Sequence, residues 1–162
     1  MQLGWHTLEA SERDLITRHQ AEIPVKLGAI AKDLGVRVLS STLPSGISGE
    51  IRPRDGGFVI SVNRHDSSRR QRFTVAHEIA HYLLHRDQIG SGIQDDVLYR
   101  SNLSDQREAE ANRLAAEILM PRVKVELALK DVINLPEADR ICVLSEKFGV
   151  SDVAMRIRLG LA

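Results

Sequence analysis

Arg72-Phe73-Thr74-Val75-Ala76-His77-Glu78-Ile79-Ala80-His81-Tyr82-Leu83-Leu84-His85 is the stretch that decides how this chain folds. Its apolar members Phe73, Val75, Ala76, Ile79, Ala80, Leu83 and Leu84 recur at steps of three and four, which predicts a helix from Arg69 to about His85. His77 and His81 stand one turn apart on that helix and project from one face. Two imidazoles so placed reach a single tetrahedral zinc ion, with Zn–N bonds of about 2.0–2.1 Å. Glu78, the next residue, stands beside such an ion without being a ligand, where it can take a proton from water. The same residues also arise by chance on ordinary helices, with packing and ion-pair roles only. Here the helix is otherwise apolar, so two part-buried histidines need partners, and a metal supplies them.

A catalytic zinc site uses three protein ligands and leaves a fourth position for water. The candidates for the third are His85, Glu108 and Glu110. His85 lies eight residues beyond His77, about 12 Å along a straight helix, too far for both to hold one ion. No glycine between His81 and His85 permits a sharp exit, so His85 reads as a helix-end residue, partly exposed, or a support behind a ligand. Ser104 and Asp105 offer N-caps for a second long helix, Gln106 to Met120, stopped by Pro121. Glu108 and Glu110 point about 200° apart on it, so only one faces the metal. Ala111, Ala115, Ile118 and Leu119 mark the buried face; Glu108 continues that stripe, and Glu110 falls off it toward solvent. Glu108 is therefore the expected third ligand. Asn112, one turn later, is placed to hydrogen-bond a ligand histidine. Small residues along the stripe let the two helices approach closely.

Outward from this pair, the N-terminal third reads as two helices and then strands. Ser11 to Gln20 suits a polar helix; Pro24 opens a second, with Val25, Leu27, Ile30, Ala31 and Leu34 at helical spacing and Gly35 as its stop. Val36 to Leu39 looks like a strand. Ile47 to Arg52 and Phe58 to Val62 flank the turn sequence Arg54-Asp55-Gly56-Gly57, which predicts a hairpin. Phe58 to Val62 is a candidate sheet edge that could take a substrate as an added strand, with an internal strand as the alternative. Gly90 to Asn102 reads as a loop. Short helices follow at Arg122–Lys130, Glu137–Phe148 and Ser151–Leu159. The expected organisation is an α+β domain over residues 1–125 and a small helical, helix-turn-helix-like extension over 126–162.

Lys plus Arg equals Asp plus Glu, 22 against 22 in 162 residues, so the chain lacks the basic field of a non-specific nucleic-acid binder. A single cysteine, Cys142, between Ile141 and Val143, excludes an internal disulfide and is expected to be buried. No secretory signal is visible and no apolar run approaches the roughly 18 residues of a membrane helix. The expected location is the cytoplasm. Arg64, Arg69, Arg70 and Arg72 precede the histidine helix and read as a solvated face, or as partners for an acid.

The Arg72–His85 stretch, together with Glu108-Ala109-Glu110-Ala111-Asn112-Arg113-Leu114-Ala115-Ala116-Glu117-Ile118-Leu119-Met120-Pro121, resembles the ImmA/IrrE family of metallopeptidases. The likeness covers roughly residues 20 to 125, with Ala80 where glycine is common and Leu114 where phenylalanine is common. It implies a zincin-like, gluzincin-type fold, with a small antiparallel or mixed sheet packed on an active-site helix and a second metal-ligand helix. Carried over by position, His77, His81 and Glu108 hold Zn2+ and Glu78 is the general base. The resemblance also implies the substrate class: a helix-turn-helix repressor, cleaved to relieve repression of a mobile element or a stress response. Tyr99, His85 and Arg100 are candidates for stabilising the oxyanion. The rival is a DNA-binding or protein-binding regulator with a structural or inactive metal, suggested by Leu144 to Leu159. Residues 137–162, however, balance Arg140, Lys147, Arg156 and Arg158 against Glu137, Asp139, Glu146 and Asp152, which is poor for phosphate contacts, so direct nucleic-acid binding is not expected.

Overall fold

The computed structural model describes residues 1–161. Helices α1 (Ala10–His19) and α2 (Leu27–Leu34) lead into strand β1 (Val36–Ser41) and the hairpin β2 (Ile47–Arg54) and β3 (Gly57–Asn63). Gly35 ends α2 in the left-handed region at φ 79°, and Asp55 and Gly56 turn the hairpin at φ 51° and 79°, the pair of positive φ values a two-residue hairpin loop needs. After α3 (Ser68–Leu84) come strand β4 (Ile93–Asp96), α4 (Asp105–Leu119), α5 (Arg122–Val132), α6 (Glu137–Phe148) and α7 (Asp152–Arg158). Ser67 and Ser104 cap α3 and α4, accepting hydrogen bonds from the backbone N–H of Arg70 and Arg107.

The sheet order is β1-β3-β2-β4, with β1 parallel to β3 and the remaining pairs antiparallel: a mixed sheet in an α+β fold. Two expectations change here. Phe58 to Val62 lies inside the sheet, between β1 and β2, so it is not an edge open to a substrate strand. The expected loop Gly90 to Asn102 contains β4, a short edge strand beside β2. Its inward residues Ile93 and Asp95 alternate with more exposed Gln94 and Asp96, the period of a half-buried strand.

Helix α3 crosses the sheet against β2 and β3 and packs on its other side against α4. Every residue from Thr74 to His81 is buried, so this segment is covered all round. Buried alanines make the approach possible: Ala76 and Ala80 on α3, Ala111 and Ala115 on α4. Gly49 on β2 does the same on the sheet side, because a Cβ there would lie 2.4 Å from Thr74 Cγ2 and 3.4 Å from Glu78 Oε1. One buried cluster runs from Leu8 and Ile16 through Ile60 and Ile79 to Leu144, Phe148 and Met155. Arg72 reinforces it, donating to the carbonyls of Val25 at 3.0 Å and Gly149 at 3.2 Å. The arginine cluster is thus no plain solvated face, since Arg70 also donates to Ser48 and to the Val97 carbonyl. Cys142, expected inside, is exposed on α6.

Candidate metal centre

Four side chains from three elements converge beneath the sheet edge: His77 and His81 of α3, Asp95 of β4 and Glu108 of α4, each with one donor atom within 4.8 Å of the others. Glu108 Oε1 lies 3.0 Å from His77 Nε2 and 3.2 Å from His81 Nε2. Asp95 presents Oδ1 at 3.5 Å to the first and Oδ2 at 3.4 Å to the second. Tetrahedral coordination with bonds of about 2.0–2.1 Å separates neighbouring ligand atoms by about 3.3–3.4 Å. The observed spacings bracket that value, so the donor set fits a small divalent cation.

The outer nitrogens show how the rings are held. His77 Nδ1 lies 2.9 Å from Asn112 Oδ1. The amide oxygen accepts the Nδ1–H, which turns the Nε2 lone pair of the neutral ring toward the carboxylates. His81 is wired through a longer chain: its Nδ1 is 2.9 Å from His85 Nδ1, and His85 Nε2 is 2.9 Å from Glu110 Oε1. With Glu110 accepting from His85 Nε2–H, His85 Nδ1 accepts from His81 Nδ1–H, and His81 Nε2 is again directed inward. Glu110 is fixed by the Leu3 backbone N–H at 2.5 Å and by Arg107 at 2.9 Å.

This chain bears on two expectations. His85, read as a partly exposed helix-end residue or a support behind a ligand, is buried and takes the second of these places behind His81, and Glu110, expected in solvent, is buried as well. The buried arc of α4 is wider than one stripe: Glu110 leads a second row with Leu114 and Ile118, and the N-terminal segment covers it. Of the oxyanion candidates, His85 sits behind His81, and Arg100 pairs with Asp96 at the surface. Tyr99, at φ 56°, lays its ring 4.8 Å from the His77 ring and meets Thr74 Oγ1 with its hydroxyl at 3.1 Å.

Glu78 is fully buried, and neither of its carboxyl oxygens has a hydrogen-bond partner among the described residues. Burial pushes its pKa well above the ordinary value, and the negative charges of Asp95, Glu108 and Glu50 add to the push. Burial opposes the charged forms of Asp95 and Glu108 too, but the histidines outweigh it and hold both below the ordinary carboxylate range. The same attraction works on His81, where burial alone would lower the pKa and the two carboxylates raise it to about 9. The cavity as a whole therefore demands positive charge at its centre. A proton on an imidazole is the weaker answer, and a divalent cation is the fuller one.

His77, His81 and Glu108 are brought together as the sequence places them, with Asn112 and His85 behind the two imidazoles. Asp95 was missed. Its signal was the alternation Ile93-Gln94-Asp95, which points Asp95 to the same side as Ile93. Beside the centre runs a groove of about 1100 Å³ lined by Phe73, Val97, Tyr99, Asn112, Ala116 and Ile157.

Residues 31–160 match the family described as the IrrE N-terminal-like domain, Peptidase M78. None of the curated proteins matches the sequence. Among solved structures, a Mycobacterium tuberculosis transcriptional regulator superposes with a TM-score of 0.66 at 20% identity, over 97% of this chain and 48% of its own. That likeness is one of fold, and the chain spans about half the length of that structure. No described helix is long and apolar enough to cross a membrane. With the matched region taking in Glu78 and the metal-shaped cluster of His77, His81, Asp95 and Glu108, the chain belongs to the IrrE N-terminal-like peptidase family, Peptidase M78.

Proposed function

We propose that the protein is a zinc-dependent endopeptidase in which His77, His81 and Glu108 hold the ion and Glu78 is the general base. The observation that carries this reading is Glu78: an acid buried beside the His77, His81, Asp95 and Glu108 cluster, with another carboxyl, Asp95, as its polar neighbour and no N–H donor among the described residues. A structural carboxylate in that position would be satisfied by donors.

Zinc bound there supplies Lewis acidity, polarising a peptide carbonyl and bringing the pKa of water toward about 7. Glu78 accepts a proton from the attacking water as its oxygen bonds to the carbonyl carbon. Glu78 then returns that proton to the amide nitrogen as the C–N bond breaks, and water has been added across the peptide bond. Asn112 and the His85–Glu110 chain hold the imidazoles in place while this happens.

The groove beside the centre is large enough for a length of polypeptide. The proposed substrate is a cytoplasmic protein, a helix-turn-helix repressor on the strength of the family likeness, and the proposed role is relief of repression. The structural neighbour is a transcriptional regulator, which is in keeping with a regulatory setting. Incubation of the zinc-loaded protein with a candidate repressor encoded beside it tests the reading, with Glu78→Gln in parallel. Expected are cleavage by the wild type, none by the variant, and equal metal content in both. A variant that cleaves as well as the wild type would refute the assignment of Glu78.

A further inference from the structure

The proposed peptidase needs a coordination position that water or substrate can enter, and the centre described above does not offer one. Zinc sites with four protein ligands are closed, whereas catalytic sites keep three. Asp95 supplies a fourth: its carboxylate straddles the two Nε2 atoms at 3.5 and 3.4 Å, opposite Glu108 at 3.0 and 3.2 Å. Asp95 is fully buried, and neither of its oxygens has a hydrogen-bond partner among the described residues. Only the two imidazoles and the neighbouring Glu78 carboxyl face it, and a cation held between Asp95 and the imidazoles is the fuller compensation for its burial. His77, Glu78 and His81 are also without exposed surface. A peptide therefore cannot reach Glu78 in this conformation.

We propose, resting on the reading above, that Asp95 is a fourth metal ligand which holds the site closed, and that withdrawal of strand β4 opens it. The element carrying Asp95 is the one best suited to withdraw. β4 has four residues and pairs on one side only, to β2. Its ladder is irregular at the residue in question, because the register shifts between Ile47 and Gly49, the partners of Asp96 and Asp95. Positive φ angles at Gly90, Gly92 and Tyr99 bracket the strand. Hollows border it as well: one of about 610 Å³ touches Gly92, Gln94 and Asp96, and the groove by α4 begins at Val97. Retraction of Asp95 frees one position on the metal, uncovers Glu78 and joins the centre to the groove in a single movement. The latent state is thus written into the ligand set itself.

Cobalt(II), whose visible spectrum reports its coordination, is loaded into the full chain and into Asp95→Ala, and acetohydroxamate is titrated into each. The expected result is a wild-type spectrum that does not respond to the hydroxamate and an Asp95→Ala spectrum that shifts on its addition. A wild-type spectrum that shifts on addition of the hydroxamate overturns the proposal, and this readout stands even where the variant folds poorly. Failure of the wild type to take up cobalt or zinc at all is a different outcome: it sinks the metallopeptidase reading itself, and the closed-site proposal with it.

Discussion

Replacing Glu110 with alanine removes the far end of the chain that runs through His85 to His81, and the consequences separate into two measurable parts. Three donors lose their acceptor: the Leu3 backbone N–H, His85 Nε2–H and Arg107. Arg107 is partly exposed and returns to water, so its share is below about 1 kcal/mol. His85 is fully buried, and a buried donor left without a partner costs about 1–3 kcal/mol. With the Leu3 contact included, the metal-free protein should lose about 2–4 kcal/mol in denaturant unfolding. The second part is metal affinity. His85 freed from Glu110 no longer fixes the proton on His81 Nδ1, so the inward lone pair of His81 loses its orientation. Loss of such a support weakens metal binding about 10- to 100-fold, which is about 1.4–2.7 kcal/mol. Competition against a chromophoric chelator measures this directly. Arg107→Ala is the control, expected to lose little of either. A Glu110→Ala protein that unfolds more easily yet binds zinc as tightly as the wild type would show that the chain does not reach the metal.

Other substitutions probe the remaining supports. Asn112→Leu removes the acceptor on His77 Nδ1 and should likewise weaken metal binding about 10- to 100-fold by the same competition assay, with the fold intact by circular dichroism. Gly49→Ala drives a methyl group into Thr74 and crowds Glu78; about 1–3 kcal/mol should be lost in denaturant unfolding. Phe148→Ala empties a fully buried position on α6 and should cost about 3–5 kcal/mol, in one transition that also abolishes the ellipticity of α3 and α4, since they share a core. Two separated transitions would instead mark the last helices as an independent unit. Finally, zinc at about 100 times its Kd should stabilise the protein by about 2.7 kcal/mol, and excess chelator should reverse this.

The long elements were legible because their signals are local. Three- and four-residue periodicity gives α3 and α4, serine caps fix their starts, and an Asp-Gly turn flanked by alternating apolar residues gives the β2–β3 hairpin. His77, His81 and Glu108 followed from helix geometry alone, since each lies on a face that periodicity defines. What was not legible depends on strand order or on cover from distant segments. Nothing local distinguishes an internal β3 from an edge β3, because the answer lies in the parallel return to β1. Asp95 sits in a strand of four residues with two aspartates, a composition that reads as loop until β2 is seen to pair with it. Glu110 seemed destined for water because the residues that shield it begin at the other end of the chain, with Leu3.

Arg72 threads its guanidinium between the carbonyls of Val25 and Gly149, and Gly149 leaves no room for a side chain: a Cβ there would meet Arg72 Nε at 2.6 Å. Residue 149 turns the chain from α6 into α7 at φ 68°, so the hinge of the final helix pair is bolted to the helix that bears both histidines. A protein that grips α7 and twists it would pull on residue 72, five positions ahead of the first imidazole. The turn between the last two helices and the helix of the two imidazoles are accordingly one mechanical piece, joined through a single guanidinium.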